Sequence, residues 1–477
     1  MKRSEPIHMS KRVLQTGKGL FPVLMTRMRL CVLTCAIAML IWLSSPAFVK
    51  DAAASRPAAG EDVTYMDDTF KMPPAFGRPF ETLKGSLKNT PPFFRDTKLD
   101  LNLRTYYLYR EKFDDSKLEA WTIGGALTYK SGYLLDHFAI GAALYTSQPL
   151  YAPGGRDGTL LLKPSQEEYT VLGQLYGQIK VVDDIFINLY RKEMNTPYIN
   201  KNDNRMTPNT FEAYTVEGKL GGKDGAPELR FGGGYVDRIK PRNDDDFIPM
   251  SQAAGVDKHR GVMVAGANYS AKDFSIGAIN YYSEDVINIF YTEGKYNLSL
   301  PSGLGALFTA QFTEQRSTGD DLLTGDDFST QQTGVKMELS YGGGLLAFAY
   351  TNTASGEDMR SPWSSYPGYT SVQVQDFNRA GEEAIMIKAA YDFSKLGLKD
   401  VSAYALWVHG WGAENPYTNS SVYDQDEYDF DLQWRPKSGL LKGLWPRFRY
   451  ARVEQSGGDN SHIDDFRIII NYDFSLL

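Results

Sequence analysis

The chain has 477 residues, a formal net charge of −7, 13% aromatic residues and only two cysteines. An acidic chain without a basic arm has no electrostatic hold on nucleic acid. A polar chain with no second apolar run long enough for a helix enters a bilayer only as closed strands.

The N-terminus sets the compartment. Lys2, Arg3, Lys11, Arg12, Lys18, Arg27 and Arg29 precede the apolar run Leu30 to Leu43, and Ser45-Pro46-Ala47 offers a small-x-small cleavage site. The run is shorter than the roughly twenty residues of a spanning helix, so residues 1–47 read as a secretory signal cleaved after Ala47, with Ala54 as a second site. Cys31 and Cys35 both lie in that run, which leaves the remainder without a disulfide or thiolate metal site. Removing residues 1–47 takes away seven basic and one acidic residue and leaves a net charge of −13.

Residues 48–97 are rich in Pro, Ala and charge, with Pro73-Pro74 and Pro91-Pro92 breaking any element, and read as a periplasmic lead segment. From Lys98 the hydrophobic period becomes two. Leu99, Leu101, Leu103, Thr105, Tyr107 and Tyr109 alternate with Asp100, Asn102, Arg104, Tyr106, Leu108 and Arg110, and the pattern recurs to Phe466/Ile468/Ile470/Tyr472/Phe474 near the end. Candidate strands begin at 98, 119, 137, 168, 183, 211, 228, 261, 273, 286, 303, 332, 344, 383, 400, 426, 444 and 465. Eighteen is an even number and returns both ends to one side.

The links alternate short and long: 131–136 short, 148–167 long, 181–184 short, 193–210 long, 221–227 short, 239–260 long. Further on, 271–272 and 342–343 are tight, whereas 316–331, 352–382 and 412–425 are long, and only the link near 284 reads too short for its side. This register predicts an all-β, transmembrane antiparallel β-barrel over 98–477, about eighteen strands, with inward-folded loops. A soluble sandwich would also alternate, but would hide the apolar face and show the polar one. A barrel this wide cannot be filled by wall side chains alone, so long loops must narrow it.

Two loops are distinctive. One carries Asn195-Thr196-Pro197 and Asn202-Asp203-Asn204-Arg205-Met206-x-Pro208; the other carries Pro367-Gly368-Tyr369-Thr370 and Asp376-Phe377-Asn378-Arg379-Ala380-Gly381. With Phe247-x-x-Met250-Ser251-x-Ala253-Ala254-Gly255 between them and Arg435-Pro436-Lys437-x-Gly439 and Lys442-Gly443-Leu444-Trp445-Pro446-Arg447-Phe448-Arg449-Tyr450-Ala451 after them, pieces that keep the family order along the chain, the chain resembles the OprD family of outer-membrane porins over about residues 95–477.

The resemblance implies an eighteen-stranded, substrate-specific channel for small hydrophilic solutes (amino acids, peptides or small carboxylates), with lumen arginines facing an acidic and polar patch. Arg447 and Arg449 take the inward parity because Leu444, Pro446, Phe448 and Tyr450 take the other; Arg104, Arg110, Arg230, Arg238, Arg435 and Arg467 are inward by the same test. A guanidinium keeps its charge and offers a planar fork to a carboxylate, and successive weak sites let a solute enter and leave. Asp203, Arg205, Asp376 and Arg379 are the expected constriction, although each arginine there also suits pinning its own loop.

The expected partners are outer-membrane lipid and small hydrophilic solutes, with no nucleic acid and no cofactor, as a monomer or homotrimer. A transporter for an apolar or aromatic compound is the alternative. The chain does not read as an enzyme: His137, His259, His409 and His462 are scattered, without metal-ligand spacing, and His462 beside Asp464 and Asp465 is the one arrangement of catalytic type. Gly232-Gly233-Gly234 reads as room in a strand rather than a phosphate cradle.

Overall fold

The computed structural model describes residues 81–301, 303–456 and 462–477. The secretory signal and residues 48–80 of the lead segment lie outside the described residues. The rest of the lead departs from expectation. It holds two short helices, α1 (Glu81–Leu87) and α2 (Pro92–Arg95). Pro92 starts α2, where a missing N–H costs nothing. Gly132 N donates to Phe93 O at 2.9 Å, tying the lead to the first turn. A side chain at Gly132 would meet Pro92 O, so this contact requires glycine.

Eighteen long strands follow among the described residues. They are β1 (Lys98–Glu111), β2 (Lys117–Lys130), β3 (Phe138–Tyr151), β4 (Tyr169–Val182), β5 (Ile185–Lys192), β6 (Thr210–Gly221), β7 (Glu228–Lys240), β8 (Val262–Ser270) and β9 (Phe274–Ser283). They continue as β10 (Ile287–Ser299), β11 (Gly305–Arg316), β12 (Ser329–Tyr341), β13 (Gly344–Thr353), β14 (Glu383–Asp392), β15 (Val401–Trp411), β16 (Gln425–Trp434), β17 (Leu444–Gln455) and β18 (His462–Ser475). Each pairs antiparallel with the next, and β1 pairs with β18 from Asp100↔Ser475 to Glu111↔Asp464. The sheet therefore closes and leaves no edge. A two-residue strand, Ile248–Pro249, adds to β7, and the short helix α3 (Met250–Ala253) follows it.

The burial pattern separates a barrel from a sandwich. Trp121, Ile123, Phe138, Ile140, Val335 and Ile468 are exposed on the outer face, while Glu427, Asp431, Asp465 and Arg467 are buried on the inner one. A soluble sheet protein would reverse this.

Turns and loops sort to opposite ends. Gly342 and Gly343, with φ of 60° and 92°, make the two-residue connection from β12 to β13 that a twisted hairpin requires. At the loop end, 152–168, 193–209, 241–261, 317–328, 354–382 and 412–424 are long, whereas 112–116 and 284–286 are short. Three long loops fold into the lumen. Tyr198 and Ile199 from 193–209, Met250 and Val256 from 241–261, and Met359, Trp363 and Tyr366 from 354–382 form one buried cluster with the wall residues Phe211, Val236, Tyr281 and Tyr291. Tyr198 meets Tyr281, Tyr291 and Tyr366 edge-on, with centroids 5.9, 6.3 and 6.2 Å apart.

Candidate functional site: the lumen constriction

The basic wall is built on three adjacent strands. Arg449 on β17 is in register with Asp431 on β16 and Arg467 on β18, and Arg110 on β1 is in register with Asp465. Asp431 takes Arg447 at 2.7 Å and Arg449 at 3.1 Å, and Asp465 takes Arg467 at 2.6 Å and Arg110 at 2.7 Å. The arginines are thus paired by inward acids from neighbouring strands, at positions that the residue alternation marks as inward. Arg435 lies beyond β16 in the link to β17 and stacks on Trp445, 4.2 Å from the ring centre.

Two expected wall arginines are elsewhere. Arg230 on β7 is inward, away from those three strands: it pairs with Glu228 at 2.5 Å and lines a cavity of about 420 Å³ between the wall residues Gln178, Asn188 and Glu217 and the loop residues Asn195 and Lys201. Arg238 does not face the lumen. A β-bulge places Arg238 opposite Glu212 and Val236 opposite Ala213, so Asp237 is an extra residue and the alternation slips by one. Val236 and Ile239 take the buried positions on either side, and Arg238 lies near Glu212 and Asp237 at 3.7 and 3.5 Å.

The expected constriction residues divide by role. Asp203 is gripped at two points by Arg104, Nη1 to Oδ1 at 2.6 Å and Nη2 to Oδ2 at 3.1 Å, and Arg104 Nε also donates to Asn471 at 2.7 Å. This pair fastens the loop 193–209 to the wall. Arg379 pairs with Glu382 at 2.5 Å and donates to Tyr423 O at 2.8 Å, which pins its own loop. Arg205 and Asp376 are different. Arg205 is buried and donates only to oxygens that carry no formal charge, Thr159 O and Asn204 O at 2.9 Å and Asn204 Oδ1 at 3.3 Å. Asp376 accepts from Ser371 Oγ at 2.6 Å and stays open to solvent.

The structure adds members the sequence reading missed. Arg242, in the loop 241–261, donates to the amide oxygens of Asn202 and Asn204 and, like Arg205, forms no ion pair among the described residues. Glu427 and Asp429 hold the tip of the loop 354–382: Glu427 accepts from Val374 N and Gln375 N at 2.7 and 2.8 Å, and Asp429 from Gln373 N at 3.2 Å. Arg467 Nη2 completes the anchorage by donating to Gln373 O at 3.1 Å.

The electrostatics follow from crowding. Burial lowers the pKa of Arg242 to about 10, and Arg467 and Arg110 push in the same direction. Burial also drives Arg205 well down, with Arg242 and Arg467 adding to it. A guanidinium does not surrender its proton in this pH range. The depression instead registers a buried charge that is poorly solvated and, secondarily, crowded by neighbouring arginines, which an anion would relieve. Asp376 answers from the facing loop: the protein crowded around it raises its carboxyl pKa although its oxygens reach solvent, while Ser371 and Arg242 pull it down.

His462 lies 3.1 Å from Asp464, on the same outward parity as Phe466 and beside Arg452, away from the constriction.

Residues 91–476 match the model of the OprD family, described as outer membrane porins. The chain belongs to the OprD family of outer-membrane porins. The porin is 22% identical over 428 residues to Porin D of Pseudomonas aeruginosa, covering 81% of this chain and 92% of that protein. The crystal structure of OccK9 (OpdG) from the same organism aligns with a TM-score of 0.72 at 23% identity, over 81% of this chain and 100% of the other. OpdK of Pseudomonas aeruginosa, solved with vanillate, aligns with a TM-score of 0.68 at 20% identity, over 80% of this chain and 100% of the other. The porin is therefore an outer-membrane channel, with its turn end in the periplasm and its loop end outside.

Proposed function

We propose that the porin passes small carboxylates by passive diffusion, selected where the three inward loops meet the basic wall. One observation carries this reading: Arg205 and Arg242 sit together at the inward loops and form no ion pair among the described residues, while Arg104, Arg110, Arg447, Arg449 and Arg467 on the wall are paired. Unpaired guanidinium groups in a half-dry passage attract a planar anion strongly enough to draw it in, and the paired arginines beneath offer weaker successive sites for its release. The structure of OpdK with vanillate, an aromatic carboxylate, supports this class of solute. Asp376 across the passage offers an acceptor to a solute that also carries a donor, so hydroxy acids and amino acids fall within the range. The buried polar wall weighs against a transporter for apolar compounds.

Liposome swelling with a panel of monocarboxylates, amino acids and uncharged sugars of equal size tests the reading. Faster swelling with carboxylates supports it, and equal rates across the panel reject it. The same reading makes residues 1–47 a secretory signal, checked by finding the mature N-terminus after Ala47 or Ala54.

A further inference from the structure

We infer that two neighbouring periplasmic turns form a docking surface for anionic phospholipid headgroups of the inner leaflet. The turns are 393–400, between β14 and β15, and 435–443, between β16 and β17. They are joined to each other: Arg435 N donates to Asp400 O at 2.8 Å, and Lys437 N to Asp400 Oδ2 at 3.2 Å. Between them they carry Lys395, Lys399, Arg435, Lys437 and Lys442 against Asp400, with Asp392 at the end of β14 within electrostatic reach of Lys395 and Lys437. The other periplasmic turns, 131–137, 183–184, 222–227, 271–273, 300–304 and 342–343, carry two lysines against five aspartates. In an acidic protein this one sector of the rim is basic.

The same two turns expose leucines. Leu396, Leu398, Leu440 and Leu441 are 65%, 57%, 64% and 48% exposed. Gly397, at φ 88°, makes the reversal that separates the first two. The surface continues the lipid-facing wall: Phe393, first residue of its turn, packs on Tyr391 at 5.2 Å, and Leu432 on β16 is 40% exposed. Leucines at the acyl boundary with lysines around them fit a bilayer surface bearing negative phosphates, since lysine stems lie along apolar surface while their ammonium groups reach the headgroups. The inference rests on the orientation of the barrel in the membrane and not on the solute proposed above.

The test uses the full porin in phosphatidylcholine nanodiscs titrated with phosphatidylglycerol. Wild type is expected to prefer phosphatidylglycerol, with the preference weakening as salt rises. The joint change Lys395→Gln, Lys399→Gln, Lys437→Gln and Lys442→Gln is expected to reduce it about tenfold, and the four Lys→Arg changes to keep it. Should the fourfold variant not fold, as read from heat-shifted gel mobility, Lys399→Gln and Lys442→Gln singly are expected to give a graded loss. Undiminished preference in the glutamine variants overturns the inference, including the case in which an acidic periplasmic protein is the true occupant.

Discussion

Arg104 on the barrel wall and Asp203 on the loop 193–209 are locked together at two points, 2.6 and 3.1 Å apart, although 99 residues separate them in sequence. The side chains are 10% and 29% exposed, so the pair is held largely out of water. Replacing Asp203 by Asn leaves a poorly hydrated guanidinium and is expected to cost about 3 kcal/mol. The loop then swings from the wall, conductance rises and becomes noisier, and solute discrimination falls. Planar-bilayer recording checks this, and unchanged conductance in Asp203→Asn rejects the fastening role.

Asp431 lies between Arg447 and Arg449 and is fully buried. Asp431→Asn strands two cations and is expected to lower stability by about 3 kcal/mol, seen as a lower urea midpoint. Carboxylate flux is expected to rise in the same variant, because the wall gains net positive charge. A variant that is destabilised yet carries no more carboxylate contradicts the solute role of this pair while leaving its structural role intact.

Asp376 supplies a pH dependence. Its pKa is raised above the ordinary value of 3.8, so on acidification it is protonated earlier than an exposed aspartate. Protonation removes a negative charge that acts on Arg242, and anion preference is expected to increase as pH falls through that pKa. Asp376→Asn is expected to show the low-pH preference at neutral pH, with the step gone. Reversal potentials across a pH series measure it, and a step that survives in Asp376→Asn assigns the titration elsewhere.

Trp363 is the bolt of the inward loops. It is 1% exposed and its Nε1 donates to Met250 O at 3.0 Å, joining the loops 354–382 and 241–261. Trp363→Ala is expected to cost about 3–5 kcal/mol of local packing. The closed sheet does not depend on this side chain. Protease added outside is therefore expected to cut 354–382 while the barrel keeps its folded gel mobility.

The barrel was legible because its period is short and strict. Every predicted strand start falls within three residues of an observed one, and Arg447, Arg449 and Arg467 face inward as their alternation requires. Arg238 shows where that logic fails. A bulge adds one residue at Asp237 without any mark in composition, and every parity beyond it reverses. Arg242 was hidden for another reason: it stands in a loop, where position is set by long-range hydrogen bonds to Asn202 and Asn204 rather than by any period. Glu427, Asp429, Asp431 and Asp465 were recoverable, since they alternate with Tyr428, Phe430, Leu432 and Phe466. The signal there is the acid that accompanies each inward arginine.

Ion selectivity reads the charge at the constriction most directly. The decisive measurement is the reversal potential across a gradient of the potassium salt of a small carboxylate, for wild type and for the double variant Arg205→Gln, Arg242→Gln. Wild type is expected to favour the carboxylate, and the variant, at near wild-type conductance, to shift clearly toward potassium. A folded double variant whose reversal potential matches wild type would contradict the proposal that Arg205 and Arg242 select the solute.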